Sequence, residues 1–165
     1  MANRLSNNAV QKGAVATGRE IKVDSMVAEE DIGFGLGLKR GTDLEDQVLQ
    51  WDGANSDDIF AGFAKISTNA GFDDEQTDQY FDVSAFRSGE IYLEVDADSG
   101  GVTAGQKIAV MPSGNIDAQA NISTGTGGTY AVKVADSEIK QAGNAGDIVK
   151  VEIDMPCDLE VVQLA

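Results

Sequence analysis

Twenty-eight carboxylates and no histidine set the terms for any chemistry this 165-residue chain can do. Histidine is the side chain best suited to proton transfer near neutral pH and the commonest transition-metal ligand. Its absence excludes a Ser-His-Asp triad, a Cys-His dyad and a zinc-hydrolase site. What remains is a carboxylate pair, as in glycoside hydrolysis, where two Asp or Glu at a fixed separation suffice. With 28 acids some pair is always at hand, but sugar clefts also need aromatic platforms, and one Trp, three Tyr and six Phe are few once a core is filled. No enzyme activity is expected, no catalytic residue is assigned, and no cofactor is implied.

Several loops imitate ligand sites. Residues 33–41 are rich in glycine, yet Leu38 precedes Lys39 and Arg40 follows it, so the phosphate-loop order G-x-x-x-x-G-K-[ST] is not met. In extended form Ile32, Phe34, Leu36 and Leu38 share one face and Gly33, Gly35 and Gly37 the other. That pattern predicts a core or interface strand whose glycine face another backbone or subunit can approach closely. Asp96, Asp98 and Gly101 match the opening of an EF-hand loop, but Lys107 stands where the bidentate Glu is needed. A solvated hairpin end is expected there. Asp73, Asp74, Glu75 and Asp78 read as a hydrated acidic loop, so no metal is expected. The lone Cys157 has no disulfide partner and reads as a small buried hydrophobe.

Charge is uneven along the chain. The net value is −16, but Arg4, Lys12, Arg19 and Lys22 against Glu20 give the first 22 residues +3 and the rest −19. Such an acidic body repels a polyanion, so no nucleic acid is expected as a partner. The N-terminal residues lack a signal peptide's apolar core, and no apolar run is long enough to cross a membrane. Leu5, Val10 and Val15 are the sizeable apolar residues of the basic stretch, too sparse to bury it in its own domain. The expected organisation is an extended basic arm over residues 1–20 and one domain over 21–165, with a chain starting at Arg19 still able to fold.

The body carries period-two patterns between turn signals. Ile91, Leu93 and Val95 alternate with Tyr92 and Glu94, and Phe81, Val83 and Ala85 alternate likewise, with residues 87–90 expected as the hairpin turn joining them. Further strands are expected at 108–111, 130–135, 148–153 and 159–164, with turns at 112–115 and 125–128. A helix over 43–50, with Thr42 as its cap, is placed below a strand through 48–51, and residues 139–142 suit a single helical turn. Residues 102–110 and 143–151 echo each other, each an Ala-Gly turn leading into an apolar strand. The pattern predicts an all-β fold, a single β-sandwich or small barrel, with an extended N-terminal arm.

The same segments carry a resemblance. Residues 60–64 (Phe-Ala-Gly-Phe-Ala), 88–95 (Ser-Gly-Glu-Ile-Tyr-Leu-Glu-Val), 104–110 with Ser113-Gly114, and 145–153 (Ala-Gly-Asp-Ile-Val-Lys-Val-Glu-Ile) resemble, in that order, the capsid cement or head decoration proteins of tailed bacteriophages. Gln106-Lys107 departs from the pattern's acidic turn residue, whereas Asp147 keeps it. The resemblance implies a jelly-roll or β-tulip-like subunit with nothing catalytic to transfer. It implies binding to the major capsid protein on the outer surface of the virion after synthesis in the host cytoplasm, and self-association, a trimer rather than a dimer. Leu5, Val10, Val15, Ile32, Phe34, Leu36 and Leu38 are the candidate capsid or subunit contacts. The competing reading is a carbohydrate- or surface-binding β-module of a phage fibre or adhesin.

Overall fold

Alternation of buried and half-exposed side chains runs through Ile91 to Val95 as the sequence pattern requires, because successive residues of a strand face opposite sides of the sheet. The computed structural model describes residues 10–16, 20–66 and 75–165. In chain order the strands are β1 (Lys22–Ala28), β2 (Ile32–Gly33), β3 (Gly37–Arg40), β4 (Gln47–Gln50), β5 (Phe60–Lys65), β6 (Gln76–Thr77) and β7 (Asp82–Glu94). They continue as β8 (Ile108–Val110), β9 (Ile116–Ala118), β10 (Tyr130–Val134), β11 (Ser137–Ile139), β12 (Ile148–Asp154) and β13 (Leu159–Gln163).

Both architectures foreseen for an all-β chain are present. The order β1-β4-β3-β5-β7 closes on itself, because β7 also pairs with β1, from Lys22 opposite Ser88 to Val27 opposite Asp82. Five strands enclose little space, since even eight leave an interior that side chains just fill. The barrel interior is accordingly small: Ala28, Ala61, Ala64 and Ala85 share it with Met26, Ile32, Leu38, Val48 and Val83. β7 then runs on to pair with β12, which pairs with β11. Apolar side chains of this extension share a second core with the four-stranded sheet β13-β10-β8-β9. Trp51, Phe60 and Phe63 belong to that core, with edge-to-face ring pairs at 6.3 and 5.4 Å.

Three expectations are corrected. Residues 87–90 are no hairpin turn but the middle of the 13-residue β7. Val83 and Ala85 face the barrel and Phe86 the second core by ordinary alternation; the register shift against β1 falls between Phe86 and Ser88, so Ile91 and Leu93, out of phase with Phe86, face that second core as well, and the phase break that reads as a turn is a bulge. Ser88 holds it, its hydroxyl donating to Asp154 Oδ1 at 2.9 Å. Residues 43–46 form a turn and strand β4 follows at Gln47–Gln50, so the strand preferred over a helix here is present, one residue earlier than expected. Ile139 ends strand β11 instead of opening a helical turn, and Lys140 N–H donates to Lys150 O at 2.8 Å. Cys157 is half-buried, packed against the second core rather than inside it.

Residues 10–16 lie on the body. Gly13 N–H donates to Tyr92 O at 2.7 Å, Tyr92 N–H to Ala14 O at 2.9 Å, and Ala16 N–H to Glu90 O at 2.9 Å, while Val15 bridges Ile91. Gly13 is buried against Gly35, and a Cβ on Gly13 would come within 2.8 Å of Gly35 N. The glycine face expected along residues 33–37 is therefore approached by this chain's own backbone.

The echo between 102–110 and 143–151 has a physical counterpart. Val102 N–H donates to Gly143 O at 2.8 Å and Gly143 N–H returns a bond to Val102 O at 3.1 Å, so the two loops pair with each other. In one, Asn144 N–H donates to Asp147 Oδ2 at 2.8 Å; in the other, Thr103 N–H donates to Gln106 Oε1, also at 2.8 Å. Gln106 departs in type but not in task, since an amide oxygen caps the loop as the carboxylate does.

Candidate functional site

The expected contact residues are not brought together. Ile32, Phe34 and Leu38 are fully buried inside the chain's own fold and Leu36 is half-buried. The run does not stay extended: Leu36 N–H donates to Gly33 O at 3.4 Å, closing a turn over Phe34 and Gly35 between β2 and β3. That turn folds the apolar stripe into the chain's own core, so it leaves little apolar surface for a neighbour. Val15 is half-buried against the second core, Val10 is 40% exposed, and Leu5 lies outside the described residues.

The acidic loops also resolve into structure. Asp96, expected to be solvated, is buried: its carboxylate accepts Asp98 N–H at 3.0 Å and the Ser113 hydroxyl. Asp117, likewise buried, accepts Ser99 Oγ and Asn121 Nδ2, each at 2.7 Å. Buried carboxylates need such donors, and here they tie the end of β7 to β9 and to the turn after β8. Asp73 and Asp74 lie outside the described residues, and Asp78 accepts Gln76 Nε2 at 3.0 Å. Among the described residues no group of three or more His, Cys, Asp or Glu is placed to hold a metal.

One charged cluster is built for holding rather than for chemistry. Lys39, on β3, is nearly buried and its Nζ meets Asp52 Oδ1 at 2.8 Å and Asp58 Oδ2 at 2.9 Å. Burial opposes its charge, but the hydrogen bonds it donates to Asp52 and Asp58, with their charge, outweigh this and hold its pKa above the ordinary lysine value. Asp52 moves oppositely: burial pushes it up, while Lys39 and the Ala54 N–H hold it below the usual carboxylate range. Neither partner is left with a proton to trade near neutral pH. No signal in the sequence joins these three residues, since each alone is an ordinary surface type.

What sequence reasoning missed on the surface is an aromatic tip. Tyr80 is 78% exposed and Phe81 66% exposed, just ahead of β7. Tyr80 has φ +70°, a conformation uncommon outside glycine, Asn and Asp. Its backbone is pinned: Tyr80 N–H donates to Ala28 O at 2.7 Å and Ala28 N–H to Phe81 O at 3.0 Å. Gln79 adds two bonds to the facing turn, N–H to Asp31 Oδ1 at 2.9 Å and Nε2 to Glu29 O at 2.6 Å. The available signal was Tyr80-Phe81 itself, two large aromatics in a polar run where period two leaves at least one outward.

With this geometry in view, comparisons place the chain among known proteins. A family model described as structural cement protein (E217 gp24/Pam3 gp6) matches residues 3–154. Among solved structures, a chain of the capsid of Myoviridae phage XM1 aligns with a TM-score of 0.68 at 16% identity, covering 94% of this chain and 99% of that one. At that identity the likeness is one of fold. A search of curated proteins gives no significant match. The glycine of the Phe-x-Gly-x-Ala segment has a structural reason on β5: Gly62 has φ +123°, and a Cβ there would run into the Phe86 carbonyl oxygen of β7.

Proposed function

Because the chain belongs to the structural cement proteins of phages, we propose that it seats on the outer surface of an assembled capsid and ties neighbouring major capsid protein subunits together. It does so as a homo-oligomer, a trimer in preference to a dimer, made in the host cytoplasm and added to the shell. The observation that carries this reading is the family match over residues 3–154. The role is mechanical: a ligand that binds only the assembled lattice stabilises it by about 2.7 kcal/mol per site at a hundredfold excess over Kd, and a shell offers many sites. No reaction is asked of its carboxylates, several of which are already committed to hydrogen bonds that hold loops together. A net charge of −16 keeps it off DNA. Leu5 and Val10 remain candidate contacts with a neighbouring copy or the shell.

Imaging of particles assembled with and without the protein tests the reading. Density of this fold on the outer surface, present only with the protein, is the expected result. Particles equally stable to heat in both preparations, with no added density, would refute it. Light scattering at tens of micromolar, an order-of-magnitude range for weak symmetric contacts, should show a multiple of 17.3 kDa; a monomer at every concentration argues against the oligomer.

A further inference from the structure

Exposed aromatics, backbone strain and one sign of charge coincide at a single place on the barrel. Exposed apolar side chains are ordinary singly, but adjacent ones that form a patch mark contact surfaces. Tyr80 and Phe81 are the two most exposed large apolar residues among those described. Non-glycine residues at positive φ persist where surrounding structure over-determines them, and such strain gathers at binding sites. Four hydrogen bonds to Ala28, Glu29 and Asp31 fix the backbone of the tip, so binding has only the two side chains left to order there. The two segments that build it, residues 28–31 and 75–82, carry Glu29, Glu30, Asp31, Glu75, Asp78 and Asp82 and no Lys or Arg.

We infer that this aromatic tip in its acidic collar is the face by which the protein docks on the shell, and that it fits a basic surface of the major capsid protein with an apolar socket for Tyr80 and Phe81. This rests on the cement reading. A second copy is the poorer occupant, because two such collars would bring like charges together. Aromatic anchors at the centre of a contact carry most of its energy, while the acids around them steer approach and set register.

The experiment measures decoration of shells assembled from the major capsid protein without this chain. Tyr80→Gly with Phe81→Ser removes both rings, and glycine also relieves the positive φ. The pair should lower affinity by about tenfold or more while the melting temperature holds or rises. Asp78→Lys with Asp82→Lys reads the same face without touching either ring; it too should weaken decoration, and the wild-type interaction should weaken with added salt. Either double variant decorating as tightly as the wild type overturns the inference. So does a ring variant that loses self-association while keeping shell binding, since the tip is then a contact between copies. Failure of the wild type itself to decorate shells is a different result: it overturns the cement reading and this inference with it.

Discussion

At the scale of single residues, the Lys39 cluster shows how charge holds a loop to the barrel. An ammonium taken out of water is costly unless its partners replace the solvent, and Asp52 and Asp58 do so at 2.8 and 2.9 Å. Their effect has a definite pH window. Asp52, held below its usual pKa, contributes stability that is present above the unfolded value and lost as pH falls through the folded one. Lys39, held above 10.5, contributes below that value and loses it only as pH rises through its raised pKa. Lys39→Met leaves two carboxylates facing each other without a cation. We expect a loss of about 1–2 kcal/mol at pH 7, less than the roughly 3–5 kcal/mol of a fully buried pair because Asp52 is half exposed. Melting temperatures followed into acid should converge, since the wild type loses the attraction while protonation relieves the variant's repulsion. Curves that remain parallel would show that the cluster carries no charge-dependent stability. Nothing in the sequence pairs Lys39 with acids 13 and 19 residues away, because side-chain partners across a loop leave no periodic trace.

At the scale of elements, what was legible is what periodicity writes. Strands β8, β10, β12 and β13 lie within two residues of their expected ends, because each buries alternate or consecutive apolar side chains against a sheet. The stretch 10–16 was not legible for the opposite reason. It is held by backbone hydrogen bonds to Glu90 and Tyr92 and by the contact of Gly13 with Gly35, none of which needs large apolar residues. Two outcomes follow. Gly13→Ala forces a side chain into φ +81° and within 2.9 Å of Ala64 O, and should cost about 2 kcal/mol. A chain starting at Arg19 should melt well below the full chain, against the sequence expectation that it folds unharmed, because Gly13, Ala14 and Ala16 no longer bond β7. Differential scanning calorimetry checks both, and unchanged melting of either would mean the stretch adds nothing to the fold. The candidate contacts divide the same way: the apolar stripe of residues 32–38 was visible, but its turn at Phe34-Gly35, which sends it inward, was not.

At the scale of the whole molecule, two cores hang on one strand. Val83 and Ala85 of β7 line the barrel, while Phe86, Ile91 and Leu93 of the same strand belong to the second core. A continuous 13-residue strand bonded to β1, β5 and β12 is a direct way to couple the two halves. Small domains commonly unfold in one cooperative step, and the test is whether different probes coincide. Trp51 reports on the second core, where it is fully buried beside Phe60, and far-ultraviolet circular dichroism reports on all strands. Val83→Ala removes two methyl groups from the barrel alone and should cost about 2 kcal/mol. If β7 couples the cores, Trp51 fluorescence must shift by the same interval as the circular dichroism, although Val83 is in the other cluster. Val132→Ala, in the second core, should move both probes together as well. A Trp51 transition that stays at its wild-type midpoint while the circular dichroism splits into two steps for Val83→Ala would show that the barrel melts by itself, and that β7 joins the halves without coupling them.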